Sequence, residues 1–152
     1  MLQHISLRHD LDAVALPFSH AVRAGDFLFV SGQVASDRLY PTDEATDEAA
    51  DETTDKATDK TAPKGGDRLS IAEQAHIVMD NLQTVLTEAG TGFDRVVMAR
   101  IFLTDFRDYD TVNAIYTSYL TPGRYPCRTT VGVTGLADQC DLEIDLIVYC
   151  GS

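Results

Sequence analysis

The chain has 152 residues, 44% of them apolar and 24% charged, which is the composition of one globular domain rather than of a disordered polypeptide. Twelve lysines and arginines face 24 aspartates and glutamates, for a net charge of -12. A field of that sign repels nucleic-acid phosphates and anionic lipid headgroups, and no Lys/Arg-rich run offsets it locally, so neither nucleic acid nor a membrane is the expected partner.

The opening residues, Met1-Leu2-Gln3-His4-Ile5-Ser6, show no basic region followed by an apolar one. No stretch approaches the roughly 18 apolar residues of a membrane span, and a cytoplasmic location is expected. Cys127, Cys140 and Cys150 are odd in number and form no Cys-x-x-Cys, and His4, His9, His20 and His76 form no i,i+4 pair. A disulfide framework, a metal site and any other cofactor are therefore not expected.

In chain order, Asp26–Gln33 is a short run rich in aromatic and β-branched residues between Gly25 and Gly32, and it reads as a buried strand with apolar side chains on both faces. From Asp43 to Ala62 the sequence repeats every four residues, with eight acids, two lysines and no large apolar side chain. That tract holds half of the surplus negative charge. Its Asp residues would crowd at i,i+4 on a helix, and Pro41 and Pro63-Lys64-Gly65-Gly66 flank it, so a low-complexity acidic insertion at about 42–66 is expected within a single domain spanning 1–152. Ser70-Ile71-Ala72-Glu73 is a capping box. Ile71, Ala75, Val78, Met79, Leu82, Val85, Leu86 and Ala89 then follow helical spacing to a stop at Gly90. Val96–Leu103 reads as a strand with Val97, Ala99, Ile101 and Leu103 on its apolar face. A second helix, capped by Asp105 or Asp108, carries Val112, Ile115, Tyr116, Tyr119 and Leu120 on one stripe and ends before Pro122-Gly123. Two more strands are expected around 128–133 and 142–149.

Two helices among five or six strands predict an α+β layered domain with both helices on one face of the sheet. In the last strand Leu142, Ile144, Leu146 and Val148 form one apolar face, while the other carries Asp141, Glu143, Asp145, Ile147 and Tyr149. With no further helix to cover it, that partly apolar second face is expected to bury against another subunit. Arg128 has two readings from spacing. It is either a fork that binds a carboxylate or, if the chain reverses near Gly135, the cross-strand ion partner of Glu143.

Taken together, Pro17-Phe18-Ser19-His20-Ala21-Val22, Phe29-Val30-Ser31-Gly32-Gln33, Leu86-Thr87-Glu88-Ala89-Gly90, Val97 through Phe102-Leu103-Thr104-Asp105, Val112-Asn113-Ala114-Ile115-Tyr116, Pro126-Cys127-Arg128 and Leu142-Glu143-Ile144 fall in an order that resembles the RidA/YjgF family of enamine/imine deaminases. The resemblance covers nearly the whole chain outside the acidic tract. It implies a chorismate-mutase-like α+β fold with a mixed or antiparallel sheet, a homotrimer with a central β-barrel, and clefts between subunits. It also implies hydrolysis of small anionic imine or enamine acids, such as 2-aminoacrylate and 2-iminobutanoate, to 2-oxo acids and ammonia, with no cofactor.

Position by position, the resemblance makes Arg128 the residue that grips the substrate carboxylate and Glu143 the acid that orients water. Ser31 and Gly32 would line the cleft at a strand end, with Asn113 contributed by the second helix and Thr130 standing where Cys or Ser is usual. Phe18 replaces the common Tyr, His20 the usual Gln, Cys127 a small residue and Thr129 a Ser, departures that bear on which substrates are taken. A non-catalytic trimer that binds 2-oxo or amino acids, or acts as a chaperone, is the competing expectation. Ribonuclease activity is disfavoured, because the sequence shows no basic stripe, stacking platform or His pair.

Overall fold

Six strands form one sheet in the order β1-β2-β3-β6-β4-β5, built from β1 (Leu2–Ile5), β2 (Ala21–Ala24), β3 (Phe27–Val34), β4 (Val96–Leu103), β5 (Cys127–Gly132) and β6 (Leu142–Tyr149). This computed structural model describes residues 1–7, 17–36 and 68–152. The acidic insertion expected at about 42–66 lies outside the described residues. All neighbouring strands are antiparallel except β4 and β5, which run parallel. That parallel pair follows from the connection between them. The chain leaves β4, passes through a short 3-10 turn (Phe106–Asp108) and helix α2 (Tyr109–Ser118), and returns alongside β4 as a βαβ unit.

Helix α1 (Ile71–Glu88) starts where the sequence predicts. The Ser70 hydroxyl accepts from the Glu73 backbone N–H, and the Glu73 carboxylate accepts in return from the Ser70 N–H at 2.8 Å. The helix ends one residue before Ala89, and Gly90 takes φ +70, a backbone conformation that side chains other than glycine's rarely adopt. Its buried stripe of Ala75, Val78, Met79, Leu82, Val85 and Leu86 packs with Val112 and Tyr116 of α2 onto Leu28, Val30, Ala99, Ile101, Leu103, Leu142, Ile144, Leu146 and Val148 of the sheet. A polar latch fixes the start of α1 to the sheet. The Gln74 amide donates to the Asp141 carboxylate at 2.9 Å and accepts from the Asp141 N–H at 2.8 Å, and the Thr104 hydroxyl donates to the same carboxylate at 2.8 Å.

Three expectations change on the sheet. A register shift between Val96 and Met98 turns Val96 into the core and leaves Val97 exposed, so the regular alternation read from Val97 onward starts only at Ala99. The first half of β3 is buried on one face only. Leu28 and Val30 are inaccessible or nearly so, whereas Phe27 and Phe29 are 42% and 48% exposed. β5 and β6 are not a hairpin, because β4 lies between them. Among the described residues no helix is long and apolar enough to cross a membrane.

Leu82 is fully buried and Ser70 only caps, so Leu82→Ala is expected to cost about 2–5 kcal/mol and Ser70→Ala about 1 kcal/mol in urea unfolding. A Leu82→Ala loss no larger than that of Ser70→Ala would contradict the role of α1 as the main core helix.

Candidate functional site

The sheet sorts the candidate residues by face. Residues paired directly across strands point to the same side. Arg128 pairs with Ala99, which is buried under the helices. Glu143 pairs with Phe102, which belongs to the opposite, uncovered face. The ion pair allowed by spacing is therefore not formed, because the two side chains leave the sheet in opposite directions with β4 between their strands.

The first group gathers where α2 crosses β5. Tyr109, Val112, Asn113 and Tyr116 occupy one face of α2 at the i, i+3, i+4 and i+7 positions. Arg128 lies against that face. Its Nη1 donates to Asn113 Oδ1 and its Nη2 to the Tyr109 hydroxyl, both at 2.6 Å, while its guanidinium carbon sits 5.5 Å from the Tyr109 ring centroid and 5.3 Å from that of Tyr116. Phe106 stacks on the outer side of Tyr109 at 5.4 Å. No carboxylate pairs with Arg128 among the described residues, so neutral oxygens and ring faces hold the cation and leave it without a counter-ion. Ile101, Leu103, Tyr109, Val112, Asn113, Arg128 and Thr130 surround a shallow crevice too tight for a water molecule. The Thr130 and Tyr116 hydroxyls are buried with no hydrogen-bond partner among the described residues, an unsatisfied state that favours acceptance of a polar ligand. Burial also raises the Tyr116 hydroxyl above the usual tyrosine range, an effect that the nearby Arg128 opposes.

The second group lies at the irregular end of β3, where the ladder to β6 shifts register between Val30 and Gln33. The Ser31 N–H donates to the His20 carbonyl at 2.9 Å and the Ser31 hydroxyl to the Ser19 carbonyl at 2.7 Å. Both Ser31 donors are thus spent inside the chain, and its part is to shape this bend beside the exposed Phe18 rather than to bind a ligand's oxygen directly. Gly32 leaves room for the Glu143 side chain against the backbone, and a Cβ there would push that side chain aside. Glu143 makes no hydrogen bond or ion pair with a described residue. Burial, and secondarily the Asp145 carboxylate, push its carboxyl above the usual glutamate range. Asp145 itself pairs across the sheet with Arg100 at 2.6 Å. His20 is buried, with the Leu7 N–H donating to its Nδ1 at 3.4 Å, and Cys127 and Thr129 are exposed on the uncovered face.

The structure therefore unites Arg128, Asn113 and Thr130 on the helix-covered face and Ser31, Gly32 and Glu143 in a second group, with the exposed Phe18 next in the chain to Ser19, whose carbonyl accepts from Ser31; Arg128 and Glu143 lie on opposite faces of the sheet. Sequence reading missed Tyr109 and assigned Tyr116 to the core alone. Their helical spacing with Asn113 was the available signal. No group of three or more His, Cys, Asp or Glu side chains among the described residues is placed to hold a metal ion.

A family model described as Endoribonuclease L-PSP matches residues 9–150. The chain is 38% identical over 133 residues to Protein DfrA of Myxococcus xanthus, spanning 86% of this chain and 83% of that one. It is 32% identical over 149 residues to RutC family protein y4sK of Sinorhizobium fredii, spanning 97% and 98%. Among solved structures it is similar to YyfA of Yersinia pestis, of the conserved Rid protein family, with a TM-score of 0.71 and 26% identity over 98% and 99% of the two chains. RidA of the Antarctic bacterium Psychrobacter sp. gives a TM-score of 0.70 and 25% identity over 97% and 98%.

The raised carboxyl of Glu143 has a consequence for stability. A carboxyl that binds its proton more tightly in the folded chain than in the unfolded one lowers stability once the pH exceeds the unfolded value. Glu143→Gln is accordingly expected to raise the melting temperature at pH 7, with the difference from wild type shrinking as the pH falls through the glutamate range. A variant that is less stable at neutral pH would show that the carboxylate is held by interactions the described residues do not supply.

Proposed function

The chain belongs to the endoribonuclease L-PSP family, the Rid/YjgF group, and from that premise we propose that it hydrolyses reactive 2-imino and 2-enamino acids, such as 2-iminobutanoate and 2-aminoacrylate, to 2-oxo acids and ammonia. The observation that carries this reading is Arg128, a part-buried guanidinium held by Asn113 and Tyr109 with no carboxylate partner among the described residues. Such a group is ready to pair with a planar carboxylate. The net charge of -12 favours a compact monoanion over a polyanionic nucleic acid.

The reaction asks little of the protein beyond orientation, because such imines already hydrolyse in water. Arg128 pairs with the substrate carboxylate and fixes the imine carbon. Water adds to that carbon and gives a proton to Glu143, whose raised carboxyl returns it to the nitrogen. Glu143 then takes the proton of the new hydroxyl and passes it to the nitrogen as the C–N bond breaks, so that ammonia departs and the C=O of the 2-oxo acid forms. The Thr130 hydroxyl, otherwise without a partner among the described residues, is available to hold the substrate nitrogen or the oxygen of the tetrahedral intermediate.

Arg128 and Glu143 of one chain cannot meet at one small molecule, since they project from opposite faces of the sheet. In this reading the site is shared between copies in a homotrimer, with Arg128 from one subunit and Glu143 from the next. The exposed Phe27 and Phe29 on β3, with Val131 on β5, give the uncovered face the apolar surface such packing needs.

In a coupled reaction where threonine dehydratase generates 2-iminobutanoate, the purified protein is expected to accelerate release of ammonia and 2-oxobutanoate. Arg128→Ala should lower kcat/KM by about 10–100-fold, the loss of one charge-assisted pair. Equal acceleration by wild type and Arg128→Ala would overturn the assignment. So would binding of 2-oxobutanoate, read as a rise in melting temperature, without any turnover.

A further inference from the structure

A second cleft, sharing no lining residue with the Arg128 crevice, opens where β2, the turn after α1 and the end of β6 converge. It offers about 400 Å³ of space and is lined by Arg23, Gly90, Thr91, Gly92, Asp94, Arg95 and Cys150, a size adequate for a small ligand. We propose that this cleft binds a small oxyanion, a carboxylate or a phosphate, between the guanidinium groups of Arg23 and Arg95.

The two cations are anchored from behind. Arg23 Nη2 donates to the carbonyl of Ala89, the residue that closes α1, at 2.7 Å. That contact compensates the partial negative charge at the helix end, so the cleft is not an unfavourable place for an anion. Arg95 Nε donates to the Tyr149 carbonyl at 3.2 Å and its Nη2 to the Gly151 carbonyl, with its guanidinium 5.5 Å from the Tyr149 ring centroid. Neutral carbonyl oxygens therefore fix the position of both groups without cancelling their charge. Neither arginine pairs with a carboxylate among the described residues. The independent sign of a missing ligand is Arg23 Nε, which is buried with no hydrogen-bond partner among the described residues. An N–H of a cation left in that state is costly, and an anionic oxygen is its best complement.

The rest of the lining fits a small oxyanion. The Thr91 hydroxyl makes no hydrogen bond to a described residue, and Gly90 and Gly92 add no side-chain bulk. Asp94 is the one acidic side chain of the lining, so two positive charges face one negative charge in a chain whose overall charge is -12. That asymmetry makes Asp94 a brake on affinity rather than a partner, and its removal is a sharp probe.

The test uses the full chain carrying Arg128→Ala, which silences the first site, with sodium phosphate and sodium acetate as separate probes against sodium chloride at constant ionic strength. Phosphate, acetate or both are expected to raise the melting temperature saturably, and whichever acts identifies the oxyanion class. Asp94→Asn should lower the half-saturating concentration by about threefold or more, as expected for removing a like charge beside the anion. Arg23→Gln should abolish the response. Should Arg23→Gln fold poorly, the Asp94→Asn shift decides alone. The proposal is overturned if neither probe exceeds chloride, or if Asp94→Asn leaves the half-saturating concentration unchanged.

Discussion

Side chains alternate across a β-strand, and that elementary constraint places the two candidate charged groups, Arg128 and Glu143, on opposite faces of the sheet. β4 lies between β5 and β6, with Arg128 aligned to Ala99 and Glu143 to Phe102. An odd separation along β4 puts the cation under the helices and the carboxylate on the uncovered face. No side-chain rotation reverses this, because a one-residue slip would turn Ile101, Leu103 and Ala99 out of the core at once. If one small substrate is to meet both groups, the second must come from another copy of the chain. In the proposed reading, self-association and chemistry follow from the same alternation.

Each half of the candidate site is left incomplete in a way that suits this division. Arg128 is oriented by Tyr109 and Asn113, which are neutral and do not satisfy its charge. Glu143 lies against Gly32, is partly buried without a hydrogen bond to a described residue, and stands near Asp145. A folded protein tolerates a few such unsatisfied groups where a ligand completes them. The core supports both halves from below. α1 and α2 cover only the face that carries Arg128, and the Gln74–Asp141–Thr104 latch fixes α1 against the ends of β4 and β6.

Much of this fold was legible in the sequence. The capping box at Ser70, the stripe from Ala75 to Leu86 and the alternation in Leu142–Tyr149 are strong local signals, because burial on one face imposes its period directly on the sequence. The extra residue at Val96–Met98 was hidden by Val96, Val97 and Met98 all being apolar, so no break in pattern marked it. β1 and β2 are four residues each and too short to show a period. The parallel pairing of β5 was obscured by the short, turn-rich stretch to β6, which reads equally well as a hairpin. Arg128, Glu143 and Gly32 were visible as residues, but their placement on opposite faces required the strand order. Nothing in the sequence singled out Tyr109, whose hydroxyl accepts from Arg128.

The division of the site between copies can be tested by complementation. Arg128→Ala and Glu143→Gln chains, each expected to keep at most about a tenth of wild-type activity in imine hydrolysis, would be co-expressed in equal amounts and assembled together. If each site takes Arg128 from one subunit and Glu143 from the next, random cyclic mixing restores wild-type pairing at about a quarter of the sites, and about that fraction of wild-type activity should return. Mixed assemblies no more active than either variant alone would contradict a shared site, and with it the explanation of why the two groups face apart.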